Sequence, residues 1–312
     1  MRKKTKWVAV LLSLGLVVSM AMGCGSSDPA EKKDIVTTDK GAAGDEAADE
    51  AANEETAEED AAGSTDVTIE EQVLVDQNGI VIKATEYTTD SIWGDGIKLV
   101  IENNSDQNVS VGCKALIVND YMITDLFVAD IAAGKKANET MYLSSTELEA
   151  AGIDAVGQVE VYFQVYDSAS YEDIFTTEAV TIQTSEYANM DTTPNDAGTE
   201  LYNEGGIKIV GKTVDEDSFW GTAILLYIEN TSGNNVGVQC DNMSINGFMI
   251  SPYFSCDVYD GKKAFNEITI MDSDLEDNGI ESIDEVELQF HVYNVDTYDT
   301  IADSDPIKFS AQ

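Results

Sequence analysis

Two tryptophans stand in matching settings, Asp90-Ser91-x-Trp93-Gly94 and Asp217-Ser218-x-Trp220-Gly221. The flat face of an indole can stack on a ligand, so Trp93 and Trp220 are candidate aromatic platforms, with the outward Tyr166 and Tyr293 as further candidates. The simpler and preferred reading packs each Trp over the end of its own domain and gives it no ligand. His291 is the only histidine; its counterpart in the other half of the chain is Gln164. Nucleophilic catalysis needs a positioned base beside a Ser or Cys, and His291 has no obvious partner of that kind, so it reads as a surface residue. Asp90 with Glu102, and Asp217 with Glu229, are carboxylate pairs of the type glycosidases use. In a chain with 59 Asp and Glu, however, such pairs arise from composition alone. No catalytic residue and no cofactor are expected.

The remaining chemistry-bearing residues have structural readings. Asp272, Asp274, Glu276 and Asp277 resemble a calcium loop, but Gly279 falls at position eight instead of six and Ile283 occupies the twelfth place. The first half has Ser145, Thr146 and Glu147 there, so helix capping is the better reading and no metal is expected. Cys113 and Cys240 sit at equivalent inward positions and read as one buried thiol per core. Counting across the Asn246-Gly247 turn puts Cys240 opposite Tyr253 and Cys256 opposite Gly237, on different faces, which disfavours a disulfide; a bulge at Pro252 would change that. No Cys/His spacing suggests zinc.

What must position these residues is one domain written twice. A constant offset of 127 residues pairs Trp93 with Trp220, Cys113 with Cys240, Ile101-Glu102-Asn103 with Ile228-Glu229-Asn230, and Gly134-Lys135-Lys136-Ala137 with Gly261-Lys262-Lys263-Ala264. A repeat of this length is a duplicated domain, since solenoid units run about 20–50 residues. Within each copy the apolar period is two. Ile97, Leu99 and Ile101, and Val159, Val161, Phe163 and Val165, alternate with outward residues, as do Ile224, Leu226 and Ile228. Asn246-Gly247 and its counterpart Asn119-Asp120 predict tight type I′ hairpins. One short helix is expected per copy, with capping boxes at Thr146 to Glu149 and Ser273 to Glu276, and with Gly152 and Gly279 closing Schellman ends. The Lys-Lys turns read as solvated loops whose charge discourages edge pairing.

The paired Ile-x-Leu-x-Ile-Glu-Asn strand, the Asn-Gly hairpin, the Gly-Lys-Lys-Ala turn and the Leu-Glu-x-x-Gly-Ile helix resemble the tandem Ig-like domains of Gram-positive bacterial surface lipoproteins. The resemblance covers about Val67 to Gln312. It implies an all-β fold of two Ig-like antiparallel sandwiches, used for binding or display, and supplies no catalytic residues.

The N-terminus fits an exported protein. Arg2, Lys3, Lys4 and Lys6 precede an apolar run from Val8 to Met22, the pattern of a secretory signal peptide. Ala21-Met22-Gly23-Cys24 resembles a lipobox, which implies lipidation at Cys24. Ala21 and Met22 depart from the usual Leu and Ala or Ser, so ordinary signal cleavage is the alternative. From Gly25 to Asp66 there is no aromatic residue, and Ile35 and Val36 are the large aliphatics. That composition, rich in Asp, Glu and Ala, predicts a disordered acidic tether. The expected organisation is a lipoprotein signal peptide at 1–23, the tether at 24–66, domain 1 at 67–185, a linker at 186–198 and domain 2 at 199–312.

A formal charge of −42 makes nucleic acid an unsuitable partner, because phosphate binding needs clustered Lys and Arg. The expectation is a noncatalytic binding or interaction protein, held by a lipid anchor on the extracytoplasmic face of the cell membrane. Its partner would be an envelope protein or glycan. The alternative is a ligand-capturing lipoprotein serving a transporter or sensor.

Overall fold

Alternating apolar residues become strands throughout the computed structural model, which describes residues 33–37, 67–124 and 126–311. Cys24, the signal peptide and most of the 24–66 segment lie outside the described residues. The first copy comprises β2 (Gln72–Gln77), β3 (Ile80–Asp90), β4 (Gly94–Asn103), β5 (Val109–Val118), β6 (Tyr121–Ile123), β7 (Val128–Ile131), β8 (Lys136–Tyr142), α1 (Ser145–Ala151), β9 (Gln158–Asp167), β10 (Asp173–Thr176) and β11 (Val180–Gln183). The second follows at the same offset with β12 (Thr199–Glu204), β13 (Ile207–Ser218), β14 (Gly221–Asn230), β15 (Val236–Ile245), β16 (Phe248–Met249), β17 (Ser255–Val258), β18 (Lys263–Ile270), α2 (Asp272–Asp277), β19 (Val286–Asn294), β20 (Thr300–Asp303) and β21 (Ile307–Ala311). An additional strand, β1 (Lys33–Thr37), precedes both.

Each copy is an antiparallel β-sandwich, so the all-β, Ig-like class holds. One sheet runs β2-β3-β4-β8 or β12-β13-β14-β18. The other is built around the β5–β9 or β15–β19 pair, with the shorter strands on its edges. Ile82, Leu99 and Ile101 face Val111, Val161 and Phe163 across the first core, and Leu226, Ile228, Val238 and Phe290 repeat this in the second.

The shared Ile-Glu-Asn motif has a physical reason. Asn103 is fully buried, donates from Nδ2 to the Gln107 and Ile131 carbonyls at 2.8 and 2.9 Å, and accepts from the Ser105 backbone N–H. Asn230 makes the same clip to Asn234 and Val258, both at 2.7 Å. A buried amide must be satisfied, and here one side chain ties the end of β4 or β14 to the opposite sheet. Both expected hairpins form with left-handed central residues, Asn119 and Asp120 at φ 48° and 68°, Asn246 and Gly247 at 51° and 84°. The turn Asn also fastens the loop after the helix: Asn119 accepts from the Gly157 and Gln158 N–H groups, and Asn246 from those of Asp284 and Glu285.

Four expectations need correction. First, α1 begins after Ser144, and no side chain caps the start of either helix; Glu147 instead accepts from the backbone N–H and the hydroxyl of Thr124, both at 2.8 Å. The glycine ends are as expected, with the Ile153 N–H on the Leu148 carbonyl and the Ile280 N–H on that of Leu275. Second, Cys113 and Cys240 are half-buried, and Cys256 is the fully buried thiol. A register shift between β16 and β17, around Pro252, puts Cys256 opposite Val238 and turns it inward, so it shares the inner face with Cys240; among the described residues no disulfide joins Cys113, Cys240 or Cys256. Burial pushes Cys240 and Cys256 up to about 12.

Third, the segment 24–66 is not a tether along its whole length. Lys33–Thr37 is a strand of the second sandwich, pairing with β13 at Val214 and Thr213 and with β21 from Ala311 to Phe309, and Ile35 is buried. A single isoleucine suffices because the sandwich supplies the rest of the apolar surface.

Fourth, the second Lys-Lys turn is not a solvated loop. Lys262 reaches across to the first copy and pairs with Asp120 at 2.8 Å and Glu160 at 2.6 Å. Burial alone would lower its pKa, but these two carboxylates more than offset that and hold it above the ordinary lysine value. Beside it β18 pairs in parallel with β6, and Phe265 stacks on Tyr121 with ring centroids 5.9 Å apart. Val210, Tyr227 and Phe265 thereby join the first core.

Candidate binding surface at the hairpin tips

The β3–β4 hairpin closes at Asp90-Ser91-Ile92-Trp93-Gly94. Asp90 Oδ1 accepts the Ile92 and Trp93 backbone N–H groups at 2.8 and 3.0 Å, and these bonds lower its pKa from the usual aspartate value. Gly94 takes φ 75°, which an L side chain rarely adopts. In the second copy Gly221 has φ 121°, and a Cβ there would meet the Ile270 carbonyl oxygen at 2.3 Å. The Asp of the first motif and the Gly of both are therefore turn requirements.

The Trp is not. Trp93 is 63% exposed and Trp220 68%, so neither packs over its sandwich as the simpler reading expected. Trp93 leans on Tyr142 with ring centroids 6.1 Å apart, beside Ile92, Leu126 and Phe127. Together they line an open groove of about 400 Å³ ending at Ser144, Ser145 and Thr146. Ile92 and Leu126 are almost fully exposed. In the second copy Phe219 stands edge-on to Trp220 at 4.8 Å, and Phe248, Met249 and Tyr253 are also exposed. An exposed apolar cluster of this kind is a candidate interaction surface.

Tyr166 and Tyr293 do not join this surface. Trp93 lies beside the start of α1, where a Cβ on Gly94 would touch Ser145, and the chain enters β9 only after α1; Tyr166 comes near the far end of β9. Each tyrosine stacks with a partner on its own loop, Tyr166 with Tyr171 and Tyr293 with Tyr298, both at 6.2 Å. Tyr171 and Tyr298 are exposed, with φ 60° in both. Sequence reasoning missed these partners, although the 127-residue offset that relates them was there to be read. His291 continues the second stack at 5.9 Å from Tyr293, and its Nδ1 lies 2.6 Å from Asp303.

Asp90 ends β3 opposite Gly94, the first residue of β4, whereas Glu102 lies at the far end of β4 opposite Val81, so they are not a carboxylate pair across one site. Glu102 pairs with Lys136 at 2.8 Å and with Lys83 at 3.8 Å. Among the described residues no group of His, Cys, Asp and Glu could hold a metal ion, and no helix is long and apolar enough to cross a membrane.

No family model matches the sequence, and no curated protein matches it. Among solved structures the chain is similar to the YadV chaperone, at 11% identity and a TM-score of 0.24, over 72% of this chain and 98% of that one. It is also similar to the Salmonella enterica SafA pilin in complex with the SafB chaperone (10%, TM-score 0.20, 69% and 88% covered). A protein of unknown function from Porphyromonas gingivalis W83 matches at 9%, TM-score 0.19, over 70% and 89%. Likenesses of this size carry no argument about what the chain binds.

Proposed function

We propose that this chain is a noncatalytic binding protein, lipid-anchored at Cys24 on the extracytoplasmic face of a bacterial cell membrane, which meets an envelope protein or glycan through the tips bearing Trp93 and Trp220. The observation that supports it is the division of labour within each repeated hairpin: Asp90 and the glycines serve the turn, while the Trp is retained in both copies and left largely exposed. Flat aromatic faces suit both sugar rings and apolar side chains. The alternative service to a transporter or sensor gains no specific observation. Since only residues 25–32 lie between Cys24 and Lys33, the acidic run 38–66 joins the two sandwiches instead of spacing both from the anchor.

Two measurements test this. Mass spectrometry of the mature N-terminus should find diacylglyceryl-Cys24, and Cys24→Ala should release the chain into the medium; an unmodified N-terminus elsewhere rejects the anchor. Capture from envelope extracts and on a glycan array should be lost in the Trp93→Ala/Trp220→Ala chain while its melting temperature holds. Undiminished capture rejects the tips as the binding surface.

A further inference from the structure

β1 completes the second sandwich from far away in the sequence. In the first copy the equivalent place is filled by the residues just ahead of β2, where Ile69 bridges to Thr184 and the Ser185 N–H donates to the Thr68 carbonyl. The position equivalent to Thr184 is Ala311, and its partner is Ile35. The residues just ahead of β12 cannot fill this place, because they are committed to the junction between the copies. The Asn195 N–H donates to the Tyr121 hydroxyl, its Nδ2 to the Ala150 carbonyl, and Lys212 holds the Asn195 and Ala197 carbonyls.

The vacated place is a shaped slot. Gly211, where the first copy has Ala84, leaves room for Ile35: a Cβ there would meet its side chain at 2.8 Å. The Thr199 hydroxyl donates to the Ile35 carbonyl, and Lys33 Nζ reaches Glu216 at 2.9 Å. The edges of β13 and β21 supply the backbone partners. Nothing in this recognition requires that the strand belong to the same chain, since residues 38–66 separate it from Val67.

We propose that this slot is a peptide-binding site for strand addition, and that it takes Lys33–Thr37 of a second copy in exchange for its own. The same contacts form either way, so exchange is set against the effective concentration of a strand tethered in its own chain, for which linked binding partners in general reach on the order of 1 mM.

Disulfide trapping tests it on the exported chain carrying Cys24→Ser. Val36 and Ser310 are directly opposed, at a spacing a disulfide can bridge. A chain with both Val36→Cys and Ser310→Cys should lock within itself on oxidation. Mixing a Val36→Cys chain with a differently tagged Ser310→Cys chain near 1 mM should give a crosslinked pair, reduced about tenfold by Ile35→Asp in the first chain or by excess peptide spanning residues 31–39. The peptide arm needs no altered fold. Internal locking without any crosslinked pair would overturn exchange, and absence of internal locking would overturn the docked strand itself. A crosslinked pair indifferent to the peptide would overturn the slot as its cause.

Discussion

Trp93 illustrates how a residue can be required by sequence pattern and not by stability. A buried tryptophan truncated to alanine costs about 3–5 kcal/mol, whereas a largely exposed one should cost less than about 1 kcal/mol. Urea melts of Trp93→Ala should therefore stay close to the parent; a loss of several kcal/mol would restore the packing role. Asn103 is the opposite case. Asn103→Ala takes the side-chain donor from the buried Ile131 carbonyl and one of two side-chain donors from that of Gln107, and should cost about 1–3 kcal/mol by the same melts. Titratable groups add pH limits with definite signs. The Asp90 pKa is lowered in the fold, so its contribution to the hairpin is present above the ordinary aspartate value and lost as pH falls through the folded value. Tryptophan fluorescence of a Trp220→Phe chain should hold from neutral pH through the ordinary aspartate range and change only on further acidification. For Lys262 the pKa is raised, so its contribution is present below the ordinary lysine value and fades as pH rises through the folded one.

Among the elements, β1 shows where composition misleads. A stretch with two large aliphatics cannot form a core of its own, but Ile35 needs only to enter one that exists. Ile35→Ala should cost about 2 kcal/mol, the low end for a buried isoleucine, because the strand lies at an edge. A fragment of residues 199–312, lacking that strand, should melt below one to which residues 31–37 are restored. Equal melting would mean that β1 adds nothing. The helices carry a related lesson. Both glycine ends follow local sequence, since a left-handed residue is a requirement of the backbone alone. The start of α1 does not, because Glu147 in its first turn is taken by Thr124, a partner 23 residues away.

At the scale of the whole molecule, the two sandwiches are coupled through Lys262, Phe265 and the β6–β18 pairing. Lys262→Ala with Phe265→Ala leaves Asp120 and Glu160 facing each other without their cation. Calorimetry should then resolve two transitions where the parent chain unfolds in one, and a single transition in both would show that the coupling does not depend on these two side chains. The duplication, the strands, the type I′ turns and the all-β class were legible in sequence because each is set by short-range geometry: period-two alternation, left-handed turn residues and a constant offset. Exposure of the two tryptophans, the inward turn of Cys256, the pairing of Lys262 across the junction and the return of Lys33–Thr37 to the second sandwich were decided by tertiary structure alone. Each depends on which distant surface arrives opposite a residue, and no local pattern encodes that.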